Sequence, residues 1–175
     1  MNLYNLTPGA MPPQEMNAII EIPEHTRVKY EIDKDTGLLK VRRVVNVPMV
    51  YPANYGYFPG TLAEDGDPLD CFVICSAEMY PGSLISVRPI GALAVEDQSG
   101  KDTKIICVPV NMVDSCYANI LSVDDLPIVL KSKLEYFCQH YKDLQKNAWV
   151  KIIGWLDTGV MHQIIMNSIE NYNKS

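Results

Sequence analysis

The sequence predicts a mainly β protein with α (α+β): a closed or nearly closed antiparallel barrel with two helices packed outside it. Three observations lead there. Short apolar or alternating segments, punctuated by turn residues, fill the first two thirds of the 175 residues. They are mostly sequential, which favours an antiparallel closure. The two stretches with helical spacing come late, at 126–146 and 159–172.

Taken in order, the strands are "AIIEI" (18–22), "RVKYEID" (27–33) and "LLKVRRVV" (38–45), with "DKDTG" turning between the last two. "LDCFVIC" (69–75), "SLISVRPIGALAVED" (83–97) and "DTKIICVP" (102–109) follow, and "WVKIIGWL" (149–156) closes the set. Asp124 and Asp125 read as caps before a helix whose stripe is Leu126, Leu130, Leu134, Phe137, Tyr141 and Leu144. The second helix carries Met161, Ile165, Ile169 and Tyr172 on one side. Both stripes read as core packing.

The length fits one domain, 1–175, able to bury about 70% of its unfolded surface. Fifteen basic against 21 acidic residues leave a net charge of −6, with no basic run, which disfavours a nucleic-acid backbone as partner. No apolar run approaches the roughly 20 residues of a membrane helix. The start, "MNLYNLTPGAMPPQEM", lacks the basic and apolar regions of a secretory signal. The five cysteines (71, 75, 107, 116, 138) form no C-x-x-C pair, and the three histidines (25, 140, 162) have no zinc spacing. A cytoplasmic, reducing compartment is the expectation.

Charged residues on strand faces carry the functional signal. In "RVKYEID" the pleat sets Lys29, Glu31 and Asp33 opposite to Val28, Tyr30 and Ile32. In "LLKVRRVV" Arg43 shares a face with Leu39, Val41 and Val45, and an Arg so placed either snorkels to solvent or finds a carboxylate or phosphate. "EDQSGKD" (96–102) reads as a hairpin tip with Asp97 and Asp102 roughly opposite one another, a destabilising pair. Lys104 follows on the face of Asp102.

"EDGDPLDC" (64–71) puts Asp65, Asp67 and Asp70 at the mouth of a strand, where each raises the cost of ionising the others. It is not an EF-hand, because the sixth and twelfth positions from Asp65 hold Asp70 and Ser76. Two readings stay open from residue types alone: a solvated acidic turn, or an oxygen-only donor set suited to Mg²⁺ or Mn²⁺. In the second, carboxylates without their cations repel, so removing the charge of Asp70 is expected to leave the metal-free fold at least as stable.

With these segments quoted, the chain resembles the family I soluble inorganic pyrophosphatases of the bacterial short-chain type. "DGDPLDC" is similar to the family signature, and "EIP" (21–23), "KYEID" (29–33), "YPANYGYFPGTL" (51–62), "RPIGAL" (88–93), "EDQSGKDTK" (96–104) and "HYKDLQKNAWVKIIGW" (140–155) read like family blocks in family order. Gln98 stands where some members carry an acid. The resemblance implies a five-stranded OB-like barrel. It also implies Mg²⁺-dependent hydrolysis of pyrophosphate to two orthophosphates, keeping pyrophosphate-releasing biosynthesis irreversible.

Several Mg²⁺ ions per site, replaceable by Mn²⁺ or other divalent ions, and a homohexamer are implied as well. In this reading Asp65, Asp70 and Asp102 hold metals and Asp67 is the general base. Asp97, with Asp102, holds a metal arriving with substrate, and Glu31 assists through water. Lys29, Arg43, Lys104, Tyr141 and Lys142 hold phosphate oxygens, with Tyr55 beside them. Glu21 and Tyr51 line the pocket. The rivals are another phosphoanhydride hydrolase, for which no Gly-rich phosphate loop speaks, and an OB-like nucleic-acid module or inactive scaffold.

Overall fold

The computed structural model describes Leu3 and residues 6–175. The strands are β1 (Met16–Ile22), β2 (Val28–Ile32), β3 (Leu39–Val44), β4 (Asn54–Tyr57), β5 (Asp70–Val73), β6 (Leu84–Asp97), β7 (Gly100–Pro109) and β8 (Val150–Leu156). The helices are α1 (Ile128–His140), before β8, and α2 (Thr158–Lys174), after it.

Six strands run in the order β1-β4-β5-β7-β6-β8, and a further pairing of β1 with β6 closes the first five into a ring. Strand β6 can serve three neighbours because it is 14 residues long. Its first half pairs β1, from Leu84↔Ile19 to Val87↔Met16, and its second half pairs β8, while β7 follows its other edge from Val87 to Asp97. A bulge between Pro89 and Gly91 interrupts the β6–β7 ladder where proline has no N–H to give. The closed five-stranded, OB-like barrel expected from the sequence is therefore present. It is not antiparallel throughout, because β5 and β7 run parallel.

Alternation supplies two large cores, beside a small cluster of Ile19, Ile32 and Tyr57 under the hairpin. Phe72, Leu93, Ile106 and Val108 pack with Leu134 and Phe137 of α1, while Cys71, Val73, Ala92, Ile105 and Cys107 pack with Met161 and Ile165 of α2. The thiols of Cys71, Cys107 and Cys138 are buried and free, and that of Cys75 is half-buried and free. Among the described residues no helix is long and apolar enough to cross a membrane.

Several expectations are corrected. Strand β4 was not foreseen. Its Gly56 faces β1 so closely that a Cβ there would lie 1.8 Å from the carbonyl oxygen of Ile19. Helix α1 starts at Ile128, because Asp125 is spent upstream: its carboxylate accepts from the N–H groups of Leu121 and Ser122 and caps a single 3₁₀ turn over 123–125. It ends at His140, so Tyr141 lies just past it and Leu144 is exposed. Asp157 does cap α2, accepting from the Val160 N–H at 2.9 Å. Finally, β2 and β3 form a hairpin outside the barrel, tied to β1 by the Ile32 N–H donating to Glu21 Oε1 at 2.7 Å.

Candidate active site

The hairpin is built so that it presents cations. A bulge between Lys29 and Tyr30 pairs Lys29 with Arg43 and Tyr30 with Val41, which leaves Arg42 as the extra residue. Lys29 and Tyr30 point to opposite faces, so Arg43 faces away from Val41. The expected run of aliphatic neighbours around Arg43 is thus absent, and Leu39 and Val41 are exposed. Lys29 and Arg43 instead stand directly opposite each other, which costs stability unless something negative lies between them.

Facing the hairpin is a tightly closed acidic loop. The Ala63 N–H donates to the Asp67 carbonyl at 2.8 Å, Gly66 turns the chain with φ +86°, and the Asp67 N–H donates to Asp65 Oδ1 at 3.1 Å. Buried Thr61 staples the base, its hydroxyl donating to Phe58 O at 2.6 Å and accepting from the Leu69 N–H at 2.9 Å. Asp70 then opens β5, beside Lys104 of β7, its parallel neighbour.

Between these walls lies a cavity of about 730 Å³. Glu21, Lys29, Glu31, Arg43, Tyr51, Tyr55, Asp65, Asp67, Asp70, Asp102, Lys104, Tyr141 and Lys142 all line it. Asp97 sits just behind: its buried carboxylate accepts from Lys142 Nζ at 2.5 Å and from the Ser99 N–H at 2.7 Å. Asp97 pairs with Gly100 and Asp102 with Val95, so these acids are diagonal neighbours and not opposed, as the sequence had implied.

Lys104 is the centre of charge. Its ammonium lies 2.5 Å from Asp70 Oδ2 and 2.6 Å from Asp102 Oδ2, and Tyr55 donates to the same Asp70 oxygen at 2.5 Å. Burial pushes the Asp70 carboxyl up, but Lys104 and Tyr55 outweigh it and hold the group below the usual carboxylate range. Burial likewise opposes the charge on Lys104, yet the surrounding anions hold it well above an ordinary lysine. Asp97 is also lowered, because Lys142 and the Ser99 N–H outweigh its burial. Asp65 is raised by burial and by its acidic neighbours. Glu21 rises to about 7, chiefly through burial.

Comparison with known proteins decides what this geometry belongs to. The family model described as inorganic pyrophosphatase matches residues 18–173. The chain belongs to the inorganic pyrophosphatase family. The inorganic pyrophosphatase of Gluconobacter oxydans is 48% identical over 97% of this chain and 98% of its own. That of Caulobacter vibrioides is 46% identical over 100% and 99%. The crystal structure of the Thermus thermophilus inorganic pyrophosphatase matches with a TM-score of 0.95 at 36% identity, covering 99% of both chains.

The family uses divalent metal ions, and the donor set fits hard cations. Among the described residues no histidine lines the cavity, and the thiol that does, Cys138, is pushed up to about 12 by burial and stays neutral. Oxygen donors remain, as Mg²⁺ requires. Among the described residues no three such groups already converge. The Lys104 ammonium stands where Asp70 and Asp102 point together, and so marks a position that favours positive charge.

Sequence reasoning passed over Lys34, Lys40 and Arg42, which also line the cavity. Lys34 reaches from the hairpin turn to Asp67 Oδ1 at 2.6 Å, across 33 residues of sequence, and no local pattern announces such a contact. Gln145, bonded to Arg43, was passed over for the same reason.

Proposed function

We propose that this chain hydrolyses inorganic pyrophosphate to two orthophosphates in the cavity between the hairpin and the acidic loop, with divalent metal ions, Mg²⁺ foremost. The observation that carries the reading is the cavity's two-signed wall: Asp65, Asp67, Asp70 and Asp102 on the barrel side, Lys29, Arg42 and Arg43 on the hairpin. A small polyanion accompanied by cations satisfies both sides at once.

Asp65, Asp70, Asp97 and Asp102 would hold the ions, with Glu31 acting through water. When bound, such ions lower the pKa of a coordinated water towards neutrality and offset phosphate charge. Asp67, solvent-accessible on a rigid loop, takes the proton of the attacking water. Lys29 and Arg43, already opposed, hold phosphate oxygens between them, and the Arg43 guanidinium offers a two-pronged grip. Tyr141, Lys142 and Lys104 complete the clamp and compensate the charge left on the departing phosphate. Tyr55 keeps its proton through burial and fixes the Asp70 carboxylate. Glu21 and Tyr51 shape the pocket. In this reading residues 1–175 form one pyrophosphatase domain that works in the cytoplasm as a homohexamer, and Mn²⁺ or another divalent ion can replace Mg²⁺.

The test is phosphate release from pyrophosphate. Activity is expected with Mg²⁺, lost in chelator and restored by adding the ion back. A purified protein inactive across Mg²⁺, Mn²⁺ and Co²⁺ would refute the reading, and equal rates on nucleoside triphosphates would favour a broader phosphoanhydride hydrolase.

A further inference from the structure

Arg43 is held from outside the hairpin. Its Nη1 donates to Gln145 Oε1 at 2.9 Å, a contact between residues 102 apart in sequence, and its guanidinium carbon lies 5.7 Å from the centre of the Tyr141 ring. Its Nε is buried and has no partner among the described residues. A guanidinium has five N–H groups, and with Nη1 spent on Gln145 and Nε sealed off, the others are left to meet a ligand.

Gln145 is itself anchored in a tight turn. The Gln145 N–H donates to Lys142 O at 2.8 Å, and the Asp143 N–H to His140 O at 3.1 Å. That turn also carries Tyr141 and Lys142, both on the cavity wall. One short segment therefore presents two proposed phosphate ligands itself and fixes a third from behind. The amide oxygen suits the task, because it accepts a hydrogen bond without neutralising the guanidinium's charge.

We infer that Gln145 is a positioning residue for pyrophosphate binding: it fixes the Arg43 guanidinium through Nη1 so that its remaining accessible N–H groups are directed at a phosphate. The inference rests on the cavity being the pyrophosphate site, and its test separates the two ideas. Gln145 is not among the residues lining the cavity, so its effect must pass through Arg43.

The experiment is a double-mutant cycle on the full chain in Mg²⁺, with steady-state kinetics on pyrophosphate and a thermal melt for each protein. Wild-type activity establishes the site reading independently of the cycle. Q145A is expected to lower kcat/KM about tenfold, mainly through KM, as loss of one hydrogen bond to a charged group does. Q145E keeps an acceptor oxygen at the same reach but neutralises the guanidinium's charge, so it should recover only part of that loss. In an R43A background Q145A should change kcat/KM less than twofold. If Q145A lowers kcat/KM equally in both backgrounds, or changes nothing in the wild-type background, Gln145 does not position Arg43. If Q145A fails to fold, Q145E and Gln145→Met carry the comparison, since Met keeps the length and removes the acceptor.

Discussion

Glu21 shows how one side chain can couple the site to solution conditions. It is a carboxyl at 7% exposure whose acceptor oxygen holds the Ile32 N–H, so a single residue joins β1 to the hairpin. Burial lifts it from an ordinary 4.5 to about 7, and the Ile32 N–H only partly offsets this. The sign follows from linkage. Below about pH 4.5 the group is protonated folded or unfolded and contributes no pH dependence; as pH rises through 7 the folded state must ionise a buried carboxyl that the unfolded chain ionises freely. Stability tied to the protonated form is therefore lost between those values, on the order of 3 kcal/mol at about 1.4 kcal/mol per unit. Glu21→Gln keeps an acceptor oxygen for Ile32 and cannot ionise. Urea denaturation of both proteins in chelator at pH 5 and pH 8 should show the variant gaining on wild type at the higher pH. An unchanged difference between the two pH values would place Glu21 in an environment no less polar than water.

At the scale of elements, pattern was legible where one chain segment decides its own conformation. The strands β1, β5, β6 and β7 and the stripe of α2 emerge where they were read, because short apolar runs between turn residues and a period of 3.6 are properties of the segment itself. Strand β4 escaped because Asn54-Tyr55-Gly56-Tyr57 has turn-forming residues and only four positions. Its strand state is imposed by neighbours on both sides. The bulge in the hairpin and the register of Asp97 against Gly100 were invisible for the same reason: pairing partners set them. The candidate site divides likewise. Residues carried by motifs line one cavity, whereas Lys34 and Gln145 are tied to it only through partners distant in sequence. Gly56 allows the imposed element to be tested. An added Cβ would meet backbone, not a yielding side chain, so β4 must separate from β1 and open the ring. Gly56→Ala should cost at least about 3 kcal/mol, or roughly 10 °C in Tm for a chain of this size. A fall of less than a few degrees would mean that the β1–β4 contact can relax and is not what closes the barrel.

The whole molecule carries a net charge of −6 and yet draws acidic groups together around one cavity, so the question is what balances them when no divalent ion is bound. Repulsion alone would make the removal of an acid stabilising, as the sequence implied. The structure gives a different answer, because Lys104 is buried between Asp70 and Asp102 and neutralises part of the cluster. Asp70 is held below its ordinary 3.8, so its ionised form adds stability above that value and the contribution is lost as pH falls through the folded one. Asp70→Asn should therefore lower the melting temperature in chelator at neutral pH, leaving Lys104 with Asp102 alone, since breaking a buried pair costs more than forming it returns. Mg²⁺ should then widen the gap. An ion that binds only the folded state stabilises it by RT ln(1 + [L]/Kd), about 2.7 kcal/mol at a hundredfold excess over Kd, and a protein that has lost a ligand gains less of it. Four melts decide the matter: both proteins, in chelator and in millimolar Mg²⁺. A variant more stable than wild type in chelator would show that repulsion outweighs the Lys104 pairing. Equal Mg²⁺ shifts would show that Asp70 holds no metal, and the ions would then have to bind through Asp65, Asp97 and Asp102 without it.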